Sequence, residues 1–202
     1  MASMGNIHGS WSAGLRDAEA TKEAVMLGTI RACSHDHSSA AGRSFPERRL
    51  HVVDIENLAA AKIPGLSQIR EVQNCYAEHL MFRAFDQVVI ASSHLALLNA
   101  ALGWPHARYR VRSGRDGADL ELLDVLLRED IAARFTHVAI GSGDGVFAVA
   151  AASLAATGVC VTVVSHRNSL SARLKLAACE VIYLDPQPPV PAAAFGGTSE
   201  AA

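Results

Sequence analysis

Paired cysteines are missing from this chain. Cys33, Cys75, Cys160 and Cys179 stand far apart with no CxxC among them, which excludes a zinc knuckle and supplies no disulfide framework. They read as small buried hydrophobes in a reducing compartment. Aromatic residues are scarce at 5%, and a core filled with Ala, Val and Leu favours helix-covered parallel sheet over a β-sandwich. No apolar run approaches the ~20 residues of a membrane span, and the chain does not open on a basic segment followed by an apolar one. The expected setting is therefore cytoplasmic, with no membrane partner. An excess of positive charge is lacking too: the formal net charge of -2 excludes a protein that coats nucleic acid with a broad basic surface. It leaves room for an enzyme that meets a few phosphates locally.

What is present suffices for one sizeable core. Half of the 202 residues are hydrophobic and 19% are charged, as expected for a single domain with tails. Residues 1–47, rich in Ser, Gly, His and Ala, are expected to be a disordered extension with one short helical stretch, Asp17 to Arg31. His35, Asp36 and His37 lie there, but adjacent ligand-type residues without a second cluster read as a solvated loop rather than a metal site. Residues 186–202, rich in Pro, Ala and Gly, are expected to form a disordered tail.

Between these tails the chain is organised around RRLHVVDIENL, Arg48 to Leu58. Val52 and Val53 run straight into Asp54, Glu56 and Asn57, the pattern of a buried strand ending in a polar rim. The pattern recurs: VVIASSH delivers Ser92 and His94, FTHVAIGSGD delivers Asp144, and VCVTVVSHR delivers His166 and Arg167. Arg108 to Arg112 reads as a short edge strand and Glu180 to Leu184 as a final one. Helical spacing runs over Leu66 to Phe85, Leu95 to Leu102, Ala118 to Ala133, Val146 to Thr157 and Leu170 to Cys179, with Ser92, Ser93 and Ser169 as expected caps. On the central helix Leu120, Leu123, Leu126, Leu127 and Ile131 are expected to share the buried face. Strands alternating with helices specify a parallel sheet with right-handed crossovers. The expectation is a three-layer α/β/α, Rossmann-like domain over residues 48–185, with strand order about 3-2-1-4-5. In that order Asp54 and Asp144 meet at the switch point, where open α/β sheets place their ligand sites.

The candidate cluster at that rim is Asp54, Asn57, Asp119, Asp124 and Asp144. Carboxylates gathered at one sheet edge repel each other and would repel a phosphate, and a hard divalent cation removes both problems. Phosphodiester hydrolysis is the reaction class this suggests. Each residue also has a structural role open to it: Asp54, Asn57 and Asp144 can cap turns, and Asp119 suits the positive end of the helix it opens. A nucleotide-binding reading of Gly141, Gly143 and Gly145 fails on spacing, which is not GxGxxG, and on position after the fourth strand.

The succession VVDIENL, GADLELLDVLL, HVAIGSGDGVF and VTVVSHRNSLSARLKLAACEVIYL resembles the NYN domain, a branch of the PIN-like nuclease superfamily, over nearly all of Arg48 to Leu184. The resemblance implies a PIN-like fold and a metal-dependent ribonuclease that uses Mg2+ or Mn2+. By position it makes Asp54, Asp119 and Asp144 the catalytic acids, adds Asp124 as the second acid of the central helix and a further metal ligand, and puts Asn57, Ser142, Arg167 and Ser169 on the substrate side. Many members carry another Asp two residues after the Ser-Gly-Asp acid, where this chain has Val146 before Phe147. Asp54, Asp119 and Asp144 are then left to hold one ion. The alternative is a PIN-like module that binds RNA or a protein partner without cutting. Because many PIN-like proteins dimerise, a homodimer belongs to the same expectation. Arg110, Arg112, Arg115, Arg167, Arg173 and Lys175 are candidates for phosphate contacts or for an ordinary solvated face. His94 and His166 are candidates for proton transfer or for solvent-facing positions.

Overall fold

Short runs of β-branched residues pair into one six-stranded, all-parallel sheet of order β3-β2-β1-β4-β5-β6. The structure, a computed structural model, describes residues 47–185. The expectations for the N-terminal extension and the C-terminal tail lie outside the described residues. The strands are β1 Arg49–Asp54, β2 Gln87–Ser92, β3 Arg108–Val111, β4 His137–Gly141, β5 Cys160–Ser165 and β6 Glu180–Tyr183. The helices are α1 Ile55–Leu58, α2 Leu66–His79, α3 Leu97–Gly103, α4 Gly117–Arg128, α5 Ile131–Arg134, α6 Ala148–Ala156 and α7 Ala172–Ala177, with a 3-10 turn at Gly145–Phe147. This is the expected three-layer α/β architecture, extended by β6 beside β5.

The helices divide between the two faces because the strand order reverses at β1. Right-handed crossovers from β1 to β2 to β3 put α2 and α3 on one face, and those from β3 to β4, β5 and β6 put the later helices on the other. Strand alternation then fills two cores. Leu50, Val52, Val138 and Ile140 pack against Leu122, Val125, Phe147, Ala150 and Leu174. Val53, Ile90, Ala139 and Val164 pack against Ile69, Tyr76, Ala100 and Trp104. Each fully buried Leu, Ile, Val or Phe contributes roughly 1.5–3 kcal/mol relative to exposure.

Several local expectations are corrected. On α4 the buried face is Leu122, Val125 and Leu126, while Leu120 and Leu127 are exposed. The helix is turned this way because Glu121 and Asp124 face the arginines of β3 and Gly117 packs against Arg112, whose carbonyl would lie 2.3 Å from a Cβ there. The stretch expected as one helix to Ala133 breaks at Asp130, whose φ of 48° is left-handed, and restarts as α5 so that Ile131 and Phe135 reach the core. Ser92 and Ser93 do not cap α3, which starts after Ala96 without a side-chain cap. Ser171, not Ser169, caps α7.

Candidate active site at the switch point

Asp54 is the last residue of β1, and its side chain closes the single turn of α1 by accepting from the N–H groups of Glu56 at 3.2 Å and Asn57 at 3.1 Å. The capping role open to it is therefore real. So is its burial, with 6% of its surface exposed. Asp119 lies three residues before Leu122 and hence on the buried stripe of α4, which aims it at the rim of β1. The Asp54 and Asp119 carboxyls lie close enough for each to perturb the ionisation of the other. Burial pushes Asp54 up to about 7; the Asn57 N–H opposes this, and the Asp119 and Glu56 charges add to it. Asp119 is raised as well, first by burial and next by the nearby Asp144 charge. No described N–H or O–H reaches the buried Asp119 Oδ1.

The parallel pairing of β1 with β4, Val53 opposite Gly141, delivers the other half of the rim. Asn57 Oδ1 accepts from Gly143 N at 3.0 Å, and the buried Ser142 Oγ accepts from Asp144 N at 3.2 Å. Asp144 is exposed, and its Oδ1 accepts from Val146 N at 2.9 Å. The expected direct meeting of Asp54 with Asp144 is thus modified: Asp119 is the carboxyl that senses both. Ser142 and Asn57 shape the turn that carries Asp144.

The other expected site residues are engaged by partners outside the carboxylate pair. Asp124 is held by Arg110 Nη2 at 3.1 Å and Arg128 Nη1 at 2.9 Å. Five residues on from Asp119, it lies about 140° round the helix, so the structure does not bring it to the carboxylate pair. Ser169 lies in the β5–α7 loop, 3.1 Å from Ser165 Oγ, where its N–H donates to the His166 carbonyl at 3.2 Å. The guanidinium of Arg167 stands 4.2 Å over the Tyr183 ring. His166 engages Asp185 Oδ1 at 2.6 Å and donates to the Leu58 carbonyl at 2.9 Å, so both ring nitrogens serve the structure. His94 is tied to Ser113 Oγ at 2.7 Å. Glu56 is the residue that motif reading passed over: its charge acts on both Asp54 and Asp119, and its Oε1 accepts from Ser93 N at 2.7 Å. Its signal was its place two residues after Asp54 in the same motif.

Among the described residues no group of three or more His, Cys, Asp or Glu side chains is arranged to hold a metal ion. The donors that do gather fit a hard ion. Two adjoining carboxyls, one with a buried oxygen that no donor reaches, suit Mg2+ or Mn2+, which commonly takes one or two carboxylates and completes its shell with water. Among the described residues no helix is long and apolar enough to cross a membrane.

No protein-family model and no curated protein matches the sequence. Among solved structures, the chain is similar to a protein of unknown function from Vibrio parahaemolyticus, at 18% identity and a TM-score of 0.46, over 71% of this chain and 96% of that one.

Proposed function

We propose that this is a metal-dependent ribonuclease of the NYN, PIN-like kind, hydrolysing RNA phosphodiester bonds at the Asp54–Asp119 rim. The observation that carries the reading is the carboxyl pair of buried Asp54 and half-buried Asp119, with the buried Asp119 Oδ1 lacking a donor and Asp54 raised to about 7. Two acids forced together in a poorly solvated place are costly without a counter-charge, and such perturbed groups cluster at functional sites. Asp54 and Asp119 would be the direct ligands of Mg2+ or Mn2+. A bound ion of this kind supplies charge neutralisation, a polarised phosphoryl oxygen and a more acidic water. Asp144 is exposed and spends one oxygen on the Val146 N–H, which leaves the other to accept a proton from an attacking water. Asn57 and Ser142 hold the turn that positions it. Val146, 40% exposed where an acid would stand in many family members, favours the second reading, a module that binds RNA without cutting.

Incubation with labelled single-stranded and hairpin RNA in Mn2+, in Mg2+ and in EDTA, with Asp54→Asn alongside, separates the two. The nuclease reading expects cleavage that needs metal and is lost in the variant. RNA retained but uncut in either metal sinks it in favour of the binding module.

A further inference from the structure

The cations around the sheet are not equally available to a substrate. On the β3 side they are neutralised by carboxylates of α4 and its neighbouring loops: Arg108 pairs with Glu129 at 2.8 Å, Arg110 with Glu121 at 2.9 Å and Asp124 at 3.1 Å, and Arg112 with Glu121 at 4.0 Å. On the β5 side the picture is reversed. Among the described residues neither Arg167 nor Arg173 has a side-chain ion pair. Arg167 is oriented by Tyr183 instead, and the Asp185 carboxylate, which accepts from its backbone N–H at 2.6 Å and feels its charge, makes no ion pair with the guanidinium. Arg173, exposed at the start of α7, lies against the turn after β4. A Cβ added to Gly145 would stand 3.4 Å from its Nη2 and 2.7 Å from Ser171 Oγ.

The two arginines belong to one continuous piece of backbone that is locked to the carboxylate rim. Gly143 donates to Asn57 Oδ1 and accepts from Ser171 N at 2.8 Å. The β5–α7 loop therefore keeps a fixed relation to Asp144 and, through Asn57, to α1 and Asp54. A polyanion lying at the rim meets paired arginines in one direction and unpaired ones in the other. An arginine already bonded to carboxylates must break those bonds to take a phosphate, whereas one held by an aromatic face needs no such exchange.

We propose that the backbone of a single-stranded RNA leaves the carboxylates over the Gly143–Gly145 turn toward the β5–α7 loop, with Arg173 and Arg167 as successive phosphate-positioning residues, and not toward the arginines of β3. This rests on the RNA reading above and fixes the direction of the strand across the site.

The test is equilibrium binding of fluorescein-labelled single-stranded RNA to the full chain in EDTA, followed against salt, so that neither metal nor cleavage enters. Arg173→Gln and Arg167→Gln should each lower affinity about three- to tenfold and reduce the slope of log K against log salt by about 1, as expected for one lost phosphate contact. The double variant Arg110→Gln/Arg112→Gln should stay within about twofold of the parent, with circular dichroism confirming the fold of all three. Unchanged affinity in both β5-side variants, or a larger loss in the β3-side variant, overturns the track, as does an absence of RNA binding by the parent chain. A chain that binds through Arg167 and Arg173 yet never cuts keeps the track and loses the nuclease. One that cuts while indifferent to both does the reverse.

Discussion

Asn57 Oδ1 accepts the Gly143 N–H at 3.0 Å, and the Gly143 carbonyl accepts the Ser171 N–H at 2.8 Å. The chain segments that follow β1, β4 and β5 are thus tied at one glycine. Asn57→Ala leaves the Gly143 N–H, at a buried residue, without its acceptor. The expected cost is about 1–3 kcal/mol, read by denaturant unfolding. Unchanged stability would mean that water replaces the amide oxygen at no loss.

Gly143 is required for space rather than for backbone freedom. A Cβ there would lie 2.4 Å from the Ser169 carbonyl oxygen and 2.6 Å from Ser165 Oγ, and backbone cannot yield as a flexible side chain can. Gly143→Ala should cost about 1–3 kcal/mol by overpacking and open the turn that carries Asp144. Gly158 is the contrasting case, with nothing within 4 Å of its Cβ position but a φ of 89°. Gly158→Ala should cost about 1–2 kcal/mol from left-handed strain alone and leave RNA cleavage at the parental rate. Equal loss of cleavage in the two variants would contradict this separation.

Two buried groups give the metal-free protein opposing pH dependences. Asp54 is raised from its ordinary 3.8 to about 7, so its contribution to stability is fully present below about pH 3.8 and is lost as pH rises toward 7. His51 is fully buried, its Nδ1 3.1 Å from Tyr76 Oη, and burial lowers it from 6.5 to about 4 against the attraction of Asp86. Its contribution is present above about pH 6.5 and is lost as pH falls toward 4. Between about pH 4 and 6.5 the two slopes oppose each other. Asp54→Asn should leave the rise due to His51 exposed, so that Tm climbs with pH across that window more steeply than in the parent. Parallel Tm curves for the two proteins would show that Asp54 ionises normally.

Val146 is exposed, and its N–H donates to Asp144, which caps the 3-10 turn, so Val146→Asp alters the side chain without removing a core contact. It should restore an acid beside Asp144 and tighten Mn2+ binding several-fold by titration. An unchanged affinity would place this side chain away from the ion.

The parallel sheet and its order were legible because apolar runs of strand length alternate with longer helical spacing, and because the reversal at β1 follows from handed crossovers. The acids at the ends of β1 and β4 were legible for the same reason, since strand ends define the rim. What spacing could not supply was rotation. Asp119 and Asp124 look alike in GADLELLDVLL, and only the packing of Leu122 and Val125 against the sheet decides that the first turns toward Asp54 and the second toward Arg110. Caps were the other weak point: Ser169 and Ser171 are both plausible starts for α7, and the close contact of Ser169 with Gly143 leaves the cap to Ser171. The pairing of the β3 arginines was half visible, because Glu121 and Asp124 are neighbours on a helix, but which strand they face depends on the fold.

The carboxyl pair Asp54–Asp119 as the seat of a divalent ion is the claim on which the rest stands, and calorimetric titration of Mn2+ into the parent chain, Asp54→Asn and Asp119→Asn tests it most directly. The prediction is one ion per chain for the parent, with affinity reduced at least tenfold in each variant, because each removes one of the two carboxylates proposed to bind the ion directly. Equal binding by all three proteins, or no binding by the parent, would contradict it.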